Sequence, residues 1–126
     1  MDGLHLTADL RGCDARAPVM REPGALRTLC VTAVSRAGLQ PVGELFHRFP
    51  SPGGVTGVVL LAESHLAVHT WPELAAATLD VYVCNLGTDN TSRAESLFET
   101  MIAGFAPRDA VRQSLRRGVP TAVAAR

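Results

Sequence analysis

Not one lysine occurs among the 126 residues; all twelve basic side chains are arginine. That absence closes two familiar routes to catalysis. An enzyme that uses pyridoxal phosphate holds it as a Schiff base on a lysine amine, and a Walker-type loop places a lysine on the phosphates. Chemistry that needs an electron sink must find it elsewhere in this chain. Cysteine is scarce too. Cys13, Cys30 and Cys84 are odd in number and widely spaced, which excludes a disulfide framework or a CxxC metal clip and predicts free thiols. Long apolar runs are missing: the longest, Val58 to Ala62, falls far short of the roughly 20 residues a bilayer crossing requires. With no basic-then-apolar leader at the start, the expectation is a cytoplasmic protein with no membrane partner. Formal charge is zero, yet Arg108, Arg112, Arg116, Arg117 and Arg126 gather near the C-terminus against Asp109. No aromatic residue interleaves them, so they read as a solvated basic end rather than a nucleic-acid surface.

What is present suits one globular domain spanning residues 1–126, with 47% apolar and 19% charged residues. Leu4, Leu6, Ala8 and Leu10 alternate as in a half-buried strand. Leu26, Leu29, Cys30, Ala33 and Ala37 fall at helical spacing and stop at Gly38. Val42 to Phe49 and Val55 to Leu61 read as strands joined by the Pro50-Ser51-Pro52-Gly53-Gly54 turn, and His65 to Trp71 and Thr78 to Cys84 as a further pair. Ala94, Leu97, Phe98, Met101, Ile102 and Phe105 mark the apolar stripe of a second helix, with Ser92 and Glu95 at capping-box spacing. Val111 to Leu115 suits a last strand, although Arg112 and Arg116 would serve a helix equally well. The order predicts an α/β (α+β) fold, a two-layer sandwich with a mostly antiparallel sheet and two helices on one face. The other face stays uncovered, which invites a second subunit.

Chemistry concentrates between positions 47 and 84, which hold three of the four histidines and the only Trp and Tyr. Period 2 puts His65, Ala67, His69 and Trp71 on one strand face, and a half-buried strand rarely needs two histidines for packing. Taken singly, each residue has a plainer reading: a strand histidine is more often structural than catalytic, Cys84 could be a small buried hydrophobe, and Ser64 a turn serine. Familiar alternatives fit poorly. His65 and His69 on a strand lack the helical placement of HExxH ligands, so no metal is expected. Ser64 lacks a GxSxG elbow, and nothing near Cys84 resembles a thiol-protease signature.

The run Gly57-Val58-Val59-Leu60-Leu61-Ala62-Glu63-Ser64-His65-Leu66-Ala67-Val68-His69-Thr70-Trp71-Pro72-Glu73, followed by Asp80-Val81-Tyr82-Val83-Cys84, resembles the small prokaryotic S-adenosylmethionine decarboxylase proenzymes. Phe46-His47-Arg48-Phe49 and Gly54-Val55-Thr56-Gly57 fit the same pattern. The resemblance implies a chain that cuts itself between Glu63 and Ser64, into residues 1–63 and 64–126, and turns Ser64 into a covalent pyruvoyl group that forms a Schiff base with the substrate. That group would be the electron sink the missing lysine leaves unfilled. It further implies His69 as the proton acceptor of processing, Thr56 as its hydroxyl support, and Cys84 as the proton donor to substrate. Phe49, Trp71 and Glu73 would bind the adenosine, and a homodimer would carry sites at or near its interface. The product would be the aminopropyl donor for polyamine (spermidine) synthesis.

The chain departs from the family pattern in places. Thr56 stands where many members have serine, Leu74-Ala75-Ala76 replaces an aromatic-Gly-aromatic segment, and the turn from Phe49 to Val55 is one residue longer. Two other readings therefore accompany the first. One is a pyruvoyl-dependent ornithine or arginine decarboxylase on the same scaffold, with Glu73, Asp80 or Glu44 meeting the distal cation. The other is an unprocessed, non-catalytic binding homologue.

Overall fold

The computed structural model describes residues 1–120. Arg126, the last member of the basic cluster, lies outside the described residues. β1 (Asp2–Arg11) is followed by a short helix α1 (Pro18–Arg21), α2 (Pro23–Arg36), β2 (Pro41–Arg48), β3 (Val55–Leu61), β4 (Ser64–Trp71), a 3₁₀ turn (Pro72–Leu74), β5 (Ala76–Cys84), α3 (Thr91–Phe105) and β6 (Asp109–Gly118). The strands form one sheet in the order β2-β3-β4-β5-β1-β6, and every neighbouring pair is antiparallel. The predicted two-layer arrangement holds.

Alternation decides the layers. Leu4, Leu6, Ala8 and Leu10 of β1 turn to the helices with Leu66 and Val68 of β4 and Ala77, Leu79, Val81 and Val83 of β5, all buried. Met20 of α1, Leu26, Cys30, Ala33 and Val34 of α2, and Ala94, Leu97, Phe98, Met101, Ile102 and Phe105 of α3 close the core over them. Thr70 is the one buried polar side chain among the described residues. Its hydroxyl donates to the Met20 carbonyl at 2.8 Å and accepts from the Val55 N–H at 2.9 Å, tying α1 and β3 to β4. The opposite sheet face has no helix. Leu45, Leu60, Val111 and Leu115 stand exposed there.

Three local details differ from the sequence reading. α3 begins at Thr91 with Asn90 as its N-cap, so Ser92 and Glu95 form no capping box. Asp89 accepts from the Thr91 N–H at 2.9 Å, and Asn85 accepts from the Asn90 N–H at 2.8 Å, so the preceding loop satisfies this end of the helix. α1 is too short to leave a periodic signal. At the C-terminus the strand alternative holds and extends over Asp109–Gly118, because pairing with β1 supplies a ladder that helical spacing alone could not reveal. As an edge strand, β6 is guarded by charge: Arg112 pairs with Glu99 and Arg116 with Asp2.

Candidate active site

The predicted site residues fall into two groups at opposite ends of the sheet. The first surrounds the entry to β3 and the exit of β4. Thr56 and His69 are direct partners in the β3–β4 register, and the Thr56 hydroxyl lies 2.9 Å from Nδ1 of His69. His69 sits beside Trp71, with ring centroids 6.0 Å apart. His47, opposite Thr56 on β2, packs edge-on against Phe49 at 4.7 Å. Phe49, Thr56, His69, Trp71 and Glu73 line a single cavity of about 320 Å³ with Gly53, Gly54 and Thr70, within the size range of small-molecule sites. Gly54 is needed for this wall, since a Cβ there would collide with the Thr70 carbonyl and hydroxyl. Two half-exposed aromatics and an exposed carboxylate suit a flat ring carrying a polyol.

The second group lies where β4 begins and β5 ends. Ala62 and Glu63 form the tight turn between β3 and β4, with Leu61 paired to Ser64. Glu63 adopts a left-handed conformation, φ 53°, which for a residue with a Cβ costs about 1–2 kcal/mol. The peptide after it joins Ser64, whose hydroxyl oxygen accepts from the Cys84 N–H at 3.1 Å. Cys84 is buried; its sulfur accepts from the Leu86 N–H at 3.4 Å and its carbonyl from the Asn90 side-chain amide at 2.9 Å. Ser64 also borders a smaller cavity of about 200 Å³ with Leu39, Leu61, Ala62 and Asn90.

Five residues of extended strand separate Ser64 from His69, roughly 16 Å at about 3.3 Å per residue. Within one chain Ser64 meets Cys84, and His69 stands with the aromatic cavity. Of the alternative acids, Glu44 is engaged by Arg27 at 2.5 Å, and Asp80 is shared by His5 and His65 at 2.8 and 3.4 Å. Glu73 alone faces a cavity with the aromatics. Sequence reasoning missed His5, Asn85 and Asn90. His5 reaches the site only through the pairing of β1 with β5, and the two asparagines sit in a loop that looks like an ordinary connection.

The family model for S-adenosylmethionine decarboxylase matches residues 4–118. The S-adenosylmethionine decarboxylase proenzyme of Aquifex aeolicus is 40% identical over 117 residues, 93% of this chain and 82% of that one. The proenzyme of the same name from Archaeoglobus fulgidus is 34% identical over 116 residues, 92% and 97% of the two chains. The crystal structure of the adenosylmethionine decarboxylase from Aquifex aeolicus superposes with a TM-score of 0.83 at 37% identity, covering 94% of this chain and 92% of that one.

Proposed function

The chain belongs to the S-adenosylmethionine decarboxylase family, carboxy-lyases made as proenzymes, and from that premise we propose how its own residues ready it and hold its substrate. Ser64 attacks the Glu63 carbonyl: the Oγ–C bond forms, the C–N bond of the peptide breaks as the hydroxyl proton passes to the nitrogen, and residues 1–63 become an ester on residue 64, whose amine is free. Relief of the left-handed Glu63 favours the step. His69 then takes the Cα proton of residue 64, the Cβ–Oγ bond breaks, and Oγ leaves with the Glu63 carboxylate. Addition of water and loss of ammonia leave residue 64 as a pyruvoyl group. Ser64 is the right precursor, since its hydroxyl is tied to β5 and its preceding peptide is strained. When formed, the group supplies a ketone for the substrate amine and a sink for the electrons released with carbon dioxide.

The observation that carries this reading is the cavity uniting Phe49, Thr56, His69, Trp71 and Glu73. Phe49 and Trp71 sandwich or flank the adenine, Glu73 accepts from the ribose hydroxyls, and Cys84 returns the proton to the substrate carbon. The roughly 16 Å between Ser64 and His69 asks for a second copy. In a homodimer stacked through the open sheet faces with strands reversed, the Ser64 end of each chain meets the His69 end of the other. Exposed Leu45, Leu60, Val111 and Leu115 supply an apolar surface for that contact. Three buried, unbridged cysteines support a reducing, cytoplasmic setting. No helix among the described residues is long and apolar enough to cross a membrane. The product is the aminopropyl donor for polyamine synthesis. A basic amino acid as substrate would have only Glu73 of the three candidate acids for its distal cation, because Glu44 and Asp80 already have partners.

Intact mass tests the reading. The wild type should yield fragments 1–63 and 64–126, the second blocked at its N-terminus, while Ser64→Ala should stay near 13.3 kDa. An uncut wild type, or cleavage of Ser64→Ala at the normal rate, would refute it.

A further inference from the structure

Cleavage between Glu63 and Ser64, on which this inference rests, leaves a reactive group on a loose strand end, and we propose that a side-chain network across four strands, Arg117, His5, Asp80 and His65, anchors that end, with Asp80 as the positioning residue.

Before cleavage, residue 64 is held in three ways: by the turn through Glu63, by pairing with Leu61, and by the bond from the Cys84 N–H to its hydroxyl. Cleavage severs the first. Conversion of Ser64 removes the hydroxyl and with it the third. Strand ends fray unless tied down. The nearest core residue inward is the fully buried Leu66, so His65 is the only side chain between it and the reactive group.

His65 is well placed for the task. Its Nε2 lies 3.4 Å from Oδ2 of Asp80, and its ring stacks on Tyr82 at 5.8 Å, both residues being on β5. The same Asp80 oxygen meets Nε2 of His5 on β1 at 2.8 Å, and Arg117 on β6 lies 3.2 Å from Nδ1 of His5. Tyr82 lies across Gly3, where a Cβ would come within 2.7 Å of its hydroxyl. The bond directions follow from the chemistry. A guanidinium only donates, so Nδ1 of His5 accepts and its Nε2 carries the proton given to Asp80. A carboxylate only accepts, so Nε2 of His65 donates as well. Both imidazoles therefore converge on one fixed acceptor, held from the far side by β1 and β6. With side-chain exposures of 17% for His5, 30% for Asp80 and 36% for His65, the bonds are partly shielded from water.

Two imidazoles and a carboxylate also suggest a divalent cation. A metal on Nε2 of His5 needs a lone pair there, and the Arg117 contact leaves that nitrogen protonated. The network is an anchor rather than a metal site.

Hydrogen–deuterium exchange reads this without turnover. In the fully cleaved protein, Asp80→Ala should speed exchange at residues 65–67 by about tenfold, the loss of one charge-assisted hydrogen bond. In the uncleavable Ser64→Ala background, where the turn still holds the strand, the same substitution should change exchange by less than about twofold. His65→Ala should match Asp80→Ala, and the double variant should add nothing further. During turnover, cleaved Asp80→Ala should also accumulate N-terminal alanine on the 64–126 fragment faster than wild type, since a mobile end is protonated on the wrong carbon more often. Equal acceleration in cut and uncut backgrounds, or none in either, overturns the anchor while leaving self-cleavage intact. Slower exchange of the wild type on adding zinc overturns it in favour of a metal site. A wild type that stays uncut removes the processing reading and the anchor together.

Discussion

Thr56 and His69 face each other across β3 and β4, and the threonine hydroxyl lies 2.9 Å from Nδ1 of the imidazole. A hydroxyl can accept as well as donate. When Nδ1–H donates to Thr56, Nε2 keeps its lone pair and is the basic nitrogen, as the proposed role of His69 requires. Thr56→Val should then slow the second stage of cleavage by about tenfold, one hydrogen bond's worth, while Thr56→Ser stays near wild type. Equal rates for the valine variant would remove the hydroxyl from the mechanism.

His69→Ala should stop one step later than Ser64→Ala. The ester between residues 63 and 64 would accumulate with no base to eliminate it, and hydroxylamine would cut it into two fragments. A chain that resists hydroxylamine would give His69 a different task.

The separation of Ser64 from His69 along β4 makes a prediction in trans. Ser64→Ala and His69→Ala chains, each unable to mature alone, should complement when co-expressed. In the proposed dimer, a mixed pair would hold one site with an intact Ser64 from one chain and an intact His69 from the other. Cleaved His69→Ala chains should appear on gels of the mixture. Their absence from a verified mixed dimer would mean that both residues act within one chain.

Cys84 is buried, with Ser64 bonded to its N–H. In the proposed role it gives a proton to the substrate carbon and not to the cofactor carbon. Cys84→Ala should still cleave, turn over slowly, and accumulate alanine at the start of the 64–126 fragment, visible by mass. Full turnover with an unchanged N-terminus would make it a packing residue.

Cys30 supplies a stability prediction. Burial, aided by the negative charge of Glu44, pushes its thiol up from 9.0 to about 12. Above pH 9 the unfolded chain loses this proton while the folded one keeps it, so stability is whole below pH 9 and falls as pH rises toward 12. In the uncleaved Ser64→Ala background, denaturant titrations should show a steeper alkaline loss than in Cys30→Ala carrying the same change, by up to about 1.4 kcal/mol per pH unit. Parallel curves would mean that the thiol ionises alike in both states.

Much was legible in the sequence because it is local. Alternation in Leu4 to Leu10 and Leu79 to Val83 marked the strands and their buried faces, and the stripe from Ala94 to Phe105 marked α3. Side-chain period follows from backbone geometry over a few residues. The roles expected of Phe49, Thr56, Trp71 and Glu73 came from the resemblance rather than from this period; that they line one cavity follows from adjoining strands joined by short turns. Tertiary structure alone decided the rest. Placing β1 between β5 and β6 sets His5 between Asp80 and Arg117, although 75 residues separate His5 from Asp80 and 112 separate it from Arg117. The same pairing makes residues 109–118 a strand where Arg112 and Arg116 fit either conformation. Strand pairing is a long-range choice, settled when the whole apolar face closes on the helices, and no window of local sequence contains it.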